Sequence, residues 1–110
     1  MKKASPYRLV LVTAPNRKVA RQLAARALRS RLVACANLIA GVESHYWWKD
    51  KLESATEVLI IFKTVYRHLG PLEKLVVENH PYDTPEFVVV PLTGGSERYL
   101  QWLGESVGKK

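Results

Sequence analysis

The sequence predicts an α+β domain, a ferredoxin-like β-α-β-β-α-β sandwich with a short C-terminal helix. Three observations predict it. An apolar run at Tyr7–Thr13 is followed directly by a long amphipathic stretch that opens at Asn16. Two β-like stretches then follow each other with only a turn between them. A second amphipathic stretch and a further apolar run complete the order before Gly94-Gly95.

Tyr7-Arg8-Leu9-Val10-Leu11-Val12-Thr13 reads as a buried strand ended by Ala14-Pro15-Asn16. Asn16 suits a helix N-cap, because its side chain accepts a hydrogen bond from an orphan backbone N–H. The helix is expected to run to about Leu32. Val19, Ala20, Leu23, Ala24, Ala27 and Leu28 form its apolar stripe. Arg17, Lys18, Arg21, Arg26 and Arg29 lie largely off that stripe, and no acidic residue occurs before Glu43.

Val33 to Lys49 reads as a long strand with a bulge or bend at Gly41. After Gly41, Val42, Ser44, Tyr46 and Trp48 share one face, and Glu43, His45 and Trp47 share the other. Lys49-Asp50-Lys51 is the expected turn. In Glu57–Thr64, five consecutive apolar residues, Val58 to Phe62, imply a central strand covered on both faces.

Residues 66–79 read as a second helix, with Leu69, Leu72, Leu75 and Val76 inward and Pro71 in the first turn. His80-Pro81 ends it. Glu86–Leu92 is a further strand, and Pro91 must lie at its end or on an edge. Gly94-Gly95 is a turn, and Ser96 caps a last helix carrying Tyr99, Leu100, Leu103 and Val107. Right-handed crossovers put the first two helices on one sheet face. Something must cover the other face, and self-association is the economical answer.

At 110 residues, 47% hydrophobic and 25% charged, the chain has the size and composition of one globular domain. Its net charge of +7 makes acidic partners a candidate class. The single cysteine, Cys35, excludes an intrachain disulfide. Met1–Pro6 precedes only six mostly apolar residues, Leu9 to Ala14, too short for a signal-peptide core or a membrane span. A cytoplasmic protein with no membrane partner is therefore expected.

Cys35 with His80 or His45 is the only nucleophile-base pairing worth weighing, and the apolar Val33-Ala34-Cys35-Ala36 context favours a small buried hydrophobe. Candidate metal ligands are Cys35, His45, His68 and His80, with Asp83 and Glu86 near the last. No Cys-x-x-Cys or His-x-x-x-His spacing is present, so a hydrogen-bonded histidine at a helix end is the preferred reading of His80. Six Arg or Lys between Arg17 and Arg31 attract phosphate, yet Glu57–Thr64 has no RNA-recognition run. A solvated cationic face is preferred there, and nucleic acid is not the expected partner. Trp47 and Trp48 point to opposite faces, so one of them is expected against another subunit or in a pocket between subunits. Lys63 and Glu86 sit at strand ends where a polar pocket can form.

Six motifs succeed one another between Leu9 and Leu103. They are Thr13-Ala14-Pro15, Leu32-Val33-Ala34-Cys35-Ala36-Asn37, Ser44-His45-Tyr46-Trp47-Trp48, Glu57 with its apolar run to Lys63-Thr64, His80-Pro81-Tyr82-Asp83-Thr84-Pro85-Glu86, and Tyr99-Leu100-Gln101-Trp102. In this order they resemble the signature motifs of the CutA divalent-cation tolerance family. The resemblance implies a ferredoxin-like fold in a single domain over residues 1–110, with a core of about 7–107. It further implies a tight homotrimer of PII-like architecture, whose strands continue between subunits. Bacterial members are associated with tolerance to copper and other divalent cations, and animal relatives with acetylcholinesterase anchoring. No catalytic reaction is implied.

Carried onto this chain, the motifs suggest a cleft between subunits built from Asn37, Ser44, Tyr46, Trp48, Lys63, Tyr82, Glu86, Tyr99 and Trp102, with His80 beside it. A divalent cation such as copper would fall to His80, Asp83, Glu86 and Cys35. The chain has Val12 and Leu75 where some bacterial members carry additional cysteines, which weakens soft Cu(I) binding. Asp50 stands where the family usually has glycine. The expected function is that of a non-enzymatic trimeric module binding a metal ion or a small ligand. The alternative is a PII-like signalling or interaction scaffold that presents its basic surface to acidic partners.

Overall fold

The computed structural model describes residues 2–3 and 6–109. Residues 1, 4, 5 and 110, which belong to the expected single domain over 1–110 and in part to the N-terminal segment read above, lie outside the described residues. The elements are β1 (Lys2–Lys3), β2 (Tyr7–Ala14), α1 (Arg17–Arg29), β3 (Cys35–Trp48) and β4 (Lys51–Val65). A 3-10 turn (Tyr66–His68), α2 (Leu69–Asn79), β5 (Val88–Pro91), β6 (Gly94–Gly95) and α3 (Glu97–Ser106) follow.

β3, β4, β2 and β5 form one antiparallel sheet in that order. α1 connects β2 to β3 across β4, and α2 connects β4 to β5 across β2, which is the split βαβ arrangement. Pro91 closes the edge strand β5, where a missing N–H is tolerated. Asn16 caps α1 by accepting from the Val19 N–H at 2.9 Å, and Ser96 caps α3 through the Tyr99 N–H at 3.4 Å.

β4 opens at Lys51, six residues before the expected Glu57. β3 and β5 are one or two residues shorter at each end than expected. Three further boundaries differ from the sequence expectation. α1 stops at Arg29, short of Leu32, because the Ser30 hydroxyl donates back to the Arg26 carbonyl at 2.8 Å and Arg31 turns left-handed at φ 58°. The second helix opens as a 3-10 turn before Leu69. Gly94-Gly95 is a short strand paired with Lys2–Lys3, not a free turn.

One face of the sheet carries the core. Val10, Val12, Ile60 and Phe62 meet Ala20, Leu23 and Ala27 of α1 and Leu72 and Val76 of α2, all essentially without solvent contact. On the opposite face, α3 covers only one end, where Leu100 and Leu103 pack on Tyr7 and Val65. The cross-strand rows Val88-Leu11-Ile61-Asn37 and Thr13-Leu59-Ile39 continue that face. There Ile39 is 47% and Val88 48% exposed. The central strand is thus fully covered on one side only within a single chain.

β3 and β4 run on beyond the sheet as a two-stranded arm, from Val42 opposite Glu57 to Trp48 opposite Lys51, giving the molecule extents of 44 × 26 × 21 Å. The register shifts between Ile39 and Val42, with Gly41 at φ 76°, as the isolated glycine suggested. The arm turns through Lys49 (φ 50°) and Asp50 (φ 62°), the double left-handed conformation of a type I′ hairpin. Trp47 and Leu52 face each other across the arm, each 70% exposed, and Trp48 is 39% exposed. Neither arm tryptophan is buried by its own chain.

The end of the chain is held by a clamp. Gly108 donates its N–H to the Arg31 carbonyl at 2.7 Å and accepts at its own carbonyl from Arg67 (2.6 Å) and His68 Nε2 (2.5 Å). Arg31 also donates to the Ser106 carbonyl at 3.1 Å.

Candidate functional site

The arm and the loop after α2 enclose an open cleft of about 990 Å³. One wall is Glu43–Trp48, the other Pro81–Glu86, and Thr13 and Glu57 form the base. The loop is fixed by His80, the residue that ends α2. His80 is 9% exposed, and its Nδ1 accepts from the Tyr82 N–H at 3.1 Å. The proton must then sit on Nε2, which donates to the Thr13 carbonyl at 2.7 Å. The rings of His80 and Tyr82 meet at a tilt of 48°, 4.6 Å between centroids. This is the hydrogen-bonded helix-end histidine preferred from sequence, and no ring nitrogen is left for a metal.

Tyr82 reaches the root of the arm, where its hydroxyl donates to Glu57 Oε2 at 2.7 Å. Burial, then the hydrogen bond to Glu57 and its charge, raise the phenol above its ordinary range. Glu57 is only 7% exposed. Its other oxygen, Oε1, has no hydrogen-bond partner among the described residues and is open to the cleft. Glu86 is largely exposed, yet partial desolvation and then the charge of Glu57 hold its carboxyl above the usual value.

The residues expected in one cleft fall into two groups. Ser44, Tyr46, Trp48, Tyr82, Asp83 and Glu86 line the cleft. Lys63, Tyr99 and Trp102 cluster at the other end of the same sheet face. There Lys63 Nζ donates to Tyr99 Oη at 3.2 Å and Tyr99 and Trp102 lie 5.3 Å apart. Cys35 sits opposite Lys63, its Sγ 3.5 Å from Asn37 Oδ1, so Asn37 also belongs to this second group. Leu9, the neighbour of Lys63, and Thr13, the partner of His80, are four residues apart on β2, about 13 Å along a strand. One chain therefore does not bring Cys35 to His80, and it forms no Lys63–Glu86 contact among the described residues. Cys35 is half-buried, not fully buried as its apolar context suggested. Of the other candidates, His45 pairs with Glu43 at 2.7 Å on the exposed arm, and His68 belongs to the C-terminal clamp. No group of three or more His, Cys, Asp or Glu able to hold a metal ion occurs among the described residues.

Sequence reasoning missed Glu57 and Thr13 as site residues. An acidic residue heading an otherwise apolar strand was the available signal for Glu57. The role of Thr13 lies in its backbone carbonyl, which no side-chain pattern reveals.

Fold and site define a small α+β protein with an antiparallel sheet, three helices and an open cleft of aromatic rings and carboxylates. Within that class the chain belongs to the CutA1 divalent ion tolerance family, which it matches over residues 8–106. The divalent-cation tolerance protein CutA of Escherichia coli is 46% identical over 99 residues, covering 90% of this chain and 88% of that one. The chloroplastic CutA of Arabidopsis thaliana is 44% identical over 104 residues, or 94% of this chain. The chain spans 57% of the length of that protein and of the chloroplastic CutA 1 of rice. The solved CutA1 of Oryza sativa superposes with a TM-score of 0.92 at 38% identity, covering 99% of this chain and 100% of its own. The CutA of Archaeoglobus fulgidus, described as periplasmic, gives 0.89 at 32%, covering 93% and 99%. Chloroplastic and periplasmic relatives overturn the cytoplasmic expectation, since proteins of this fold and sequence are not confined to the cytoplasm. No helix is long and apolar enough to cross a membrane among the described residues.

Proposed function

We propose that this chain acts in divalent-cation tolerance, copper included, as a homotrimer of PII-like architecture that binds a metal ion or small ligand between subunits without catalysis. The carrying observation is the sheet face left open beyond α3, with Ile39 and Val88 about half exposed beside a projecting arm. A face of that kind favours burial against further copies of the chain. Assembly would bring the Lys63-Tyr99-Trp102 group of one subunit towards the cleft of another, uniting the two groups that a single chain keeps apart. Asp83 and Glu86 are the oxygen donors for a divalent ion. His80 anchors their loop, and Cys35 or another group would come from a neighbouring subunit.

The test is calorimetric titration of Cu(II) and Zn(II), with light scattering on the same sample. Saturable binding at a fixed ratio per trimer, lost in Asp83→Asn with Glu86→Gln, is expected. A monomer removes the reading, and a trimer that binds neither ion removes its metal half and leaves the small ligand. The scaffold alternative is favoured by one observation: Arg17, Lys18, Arg21, Arg26 and Arg29 are exposed and meet no carboxylate among the described residues. An acidic partner protein would then be lost in an Arg21/Arg26/Arg29→Glu variant.

A further inference from the structure

The cleft has the opposite charge character from the protein around it. Lys and Arg number 17 against 10 Asp and Glu in the chain. The cleft lining nevertheless holds the carboxylates Glu57, Asp83 and Glu86, with Glu43 paired to His45 beside them, and no Lys or Arg. Glu57 is the informative one. It is 7% exposed, keeps an unpartnered oxygen open to the cleft, and has no cation beside it in the lining. A largely buried carboxylate with one oxygen free towards the cleft is a ready acceptor for a cation supplied from outside. Partial desolvation and the neighbouring charge of Glu57 raise Glu86, the response of a carboxyl that also lacks a counter-ion.

Within one chain the walls favour an organic cation over a bare ion. A bare metal ion needs several convergent oxygen, nitrogen or sulfur donors. No such group of three occurs among the described residues, and His80 has both nitrogens engaged. Tyr46 and Trp48 point the same way from β3, 42% and 39% exposed, and offer ring faces in place of lone pairs. Ring faces attract ammonium groups and cover methylene chains. The Trp48 ring already meets one ammonium, Lys49 Nζ at 5.8 Å from its centroid.

We propose that this cleft binds an aliphatic polyamine. One ammonium pairs with the open oxygen of Glu57, a second with Glu86, and the methylene chain between them lies along Tyr46 and Trp48. This rests on the cleft being the ligand site of the assembled protein. A net charge of +7 repels polyamines from the protein as a whole, so binding must be local to this cleft.

The experiment is calorimetric titration of the full chain with spermidine, with 1,7-heptanediol as an uncharged chain of similar length, and with Zn(II). Saturable spermidine binding and no diol binding are expected. Glu57→Gln should weaken spermidine by about tenfold or more, since a buried charge pair is replaced by an amide. Glu73→Gln, a carboxylate change on the exposed face of α2 away from the cleft, should leave it unaltered. If Glu57→Gln does not fold, Glu86→Gln and the diol comparison carry the test. Equal binding of diol and amine, or spermidine binding indifferent to Glu57→Gln and Glu86→Gln, overturns the proposal. Zn(II) binding without spermidine binding overturns it and leaves the cleft as a metal site, whereas absence of both removes the ligand-site reading as well.

Discussion

The Tyr82 hydroxyl donates a 2.7 Å hydrogen bond to Glu57, tying the loop after α2 to the root of the β3–β4 arm. Tyr82→Phe keeps the ring and leaves the buried carboxylate one donor short. Unfolding in urea near neutral pH should reveal a loss of about 1–3 kcal/mol. The raised phenol also fixes a pH dependence. Its contribution is complete below the ordinary tyrosine value of 10.0 and fades as pH climbs through the raised folded value. Ultraviolet titration should show that the variant has lost a late-ionising phenol of the natural protein.

Glu86 has a folded pKa above its ordinary 4.5, so the fold prefers its neutral form. The associated stability is present below pH 4.5 and is lost as pH rises through the folded value. Glu86→Gln, neutral at every pH, should therefore be more stable than the natural protein at pH 7 and equal to it at pH 4. A difference that persisted at pH 4 would argue against a charge effect.

Asp50 occupies a left-handed turn position at φ 62° directly after Lys49 at φ 50°. Glycine takes this conformation without a Cβ penalty, and Asp only tolerates it. Asp50→Gly should stabilise the protein by about 0.5–1 kcal/mol in chemical denaturation. A loss would mean that the Asp50 side chain supports the turn.

Trp47 and Leu52 form an exposed cross-strand pair at the far end of the arm. If neighbouring subunits receive the arm, Trp47→Ser with Leu52→Ser should lower the mass measured by light scattering from three chains towards one. Far-UV circular dichroism should stay near the natural spectrum, because neither side chain touches the core around Phe62. An undiminished trimer would place the contact elsewhere on the open sheet face.

Much of the fold was legible because local chemistry and burial agree. Asn16 and Ser96 are good caps, Pro91 can only end or edge a strand, and Gly41 marks a bulge. The end of α1 was not legible, since it depends on the Ser30 back-bond and on Arg31 adopting a conformation unusual for arginine. The strand at Gly94-Gly95 depends on a partner some ninety residues distant, which glycines do not announce. In the cleft, Tyr46, Trp48, Tyr82 and Glu86 were found as motif residues. Glu57 was passed over because it read as the head of an apolar strand. Lys63 and Glu86 sit at opposite ends of one sheet face within a single chain, a distance that strand order alone leaves open.

The clamp on Gly108 joins groups 40 to 77 positions away along the chain, at His68, Arg67 and Arg31. Contacts between such remote segments carry a large loop-closure entropy and yield nothing until the sheet between them exists. The clamp and α3 should therefore dock after the rate-limiting step of folding. In stopped-flow measurements, Arg31→Ala should speed unfolding and leave the refolding arm of the chevron where it was.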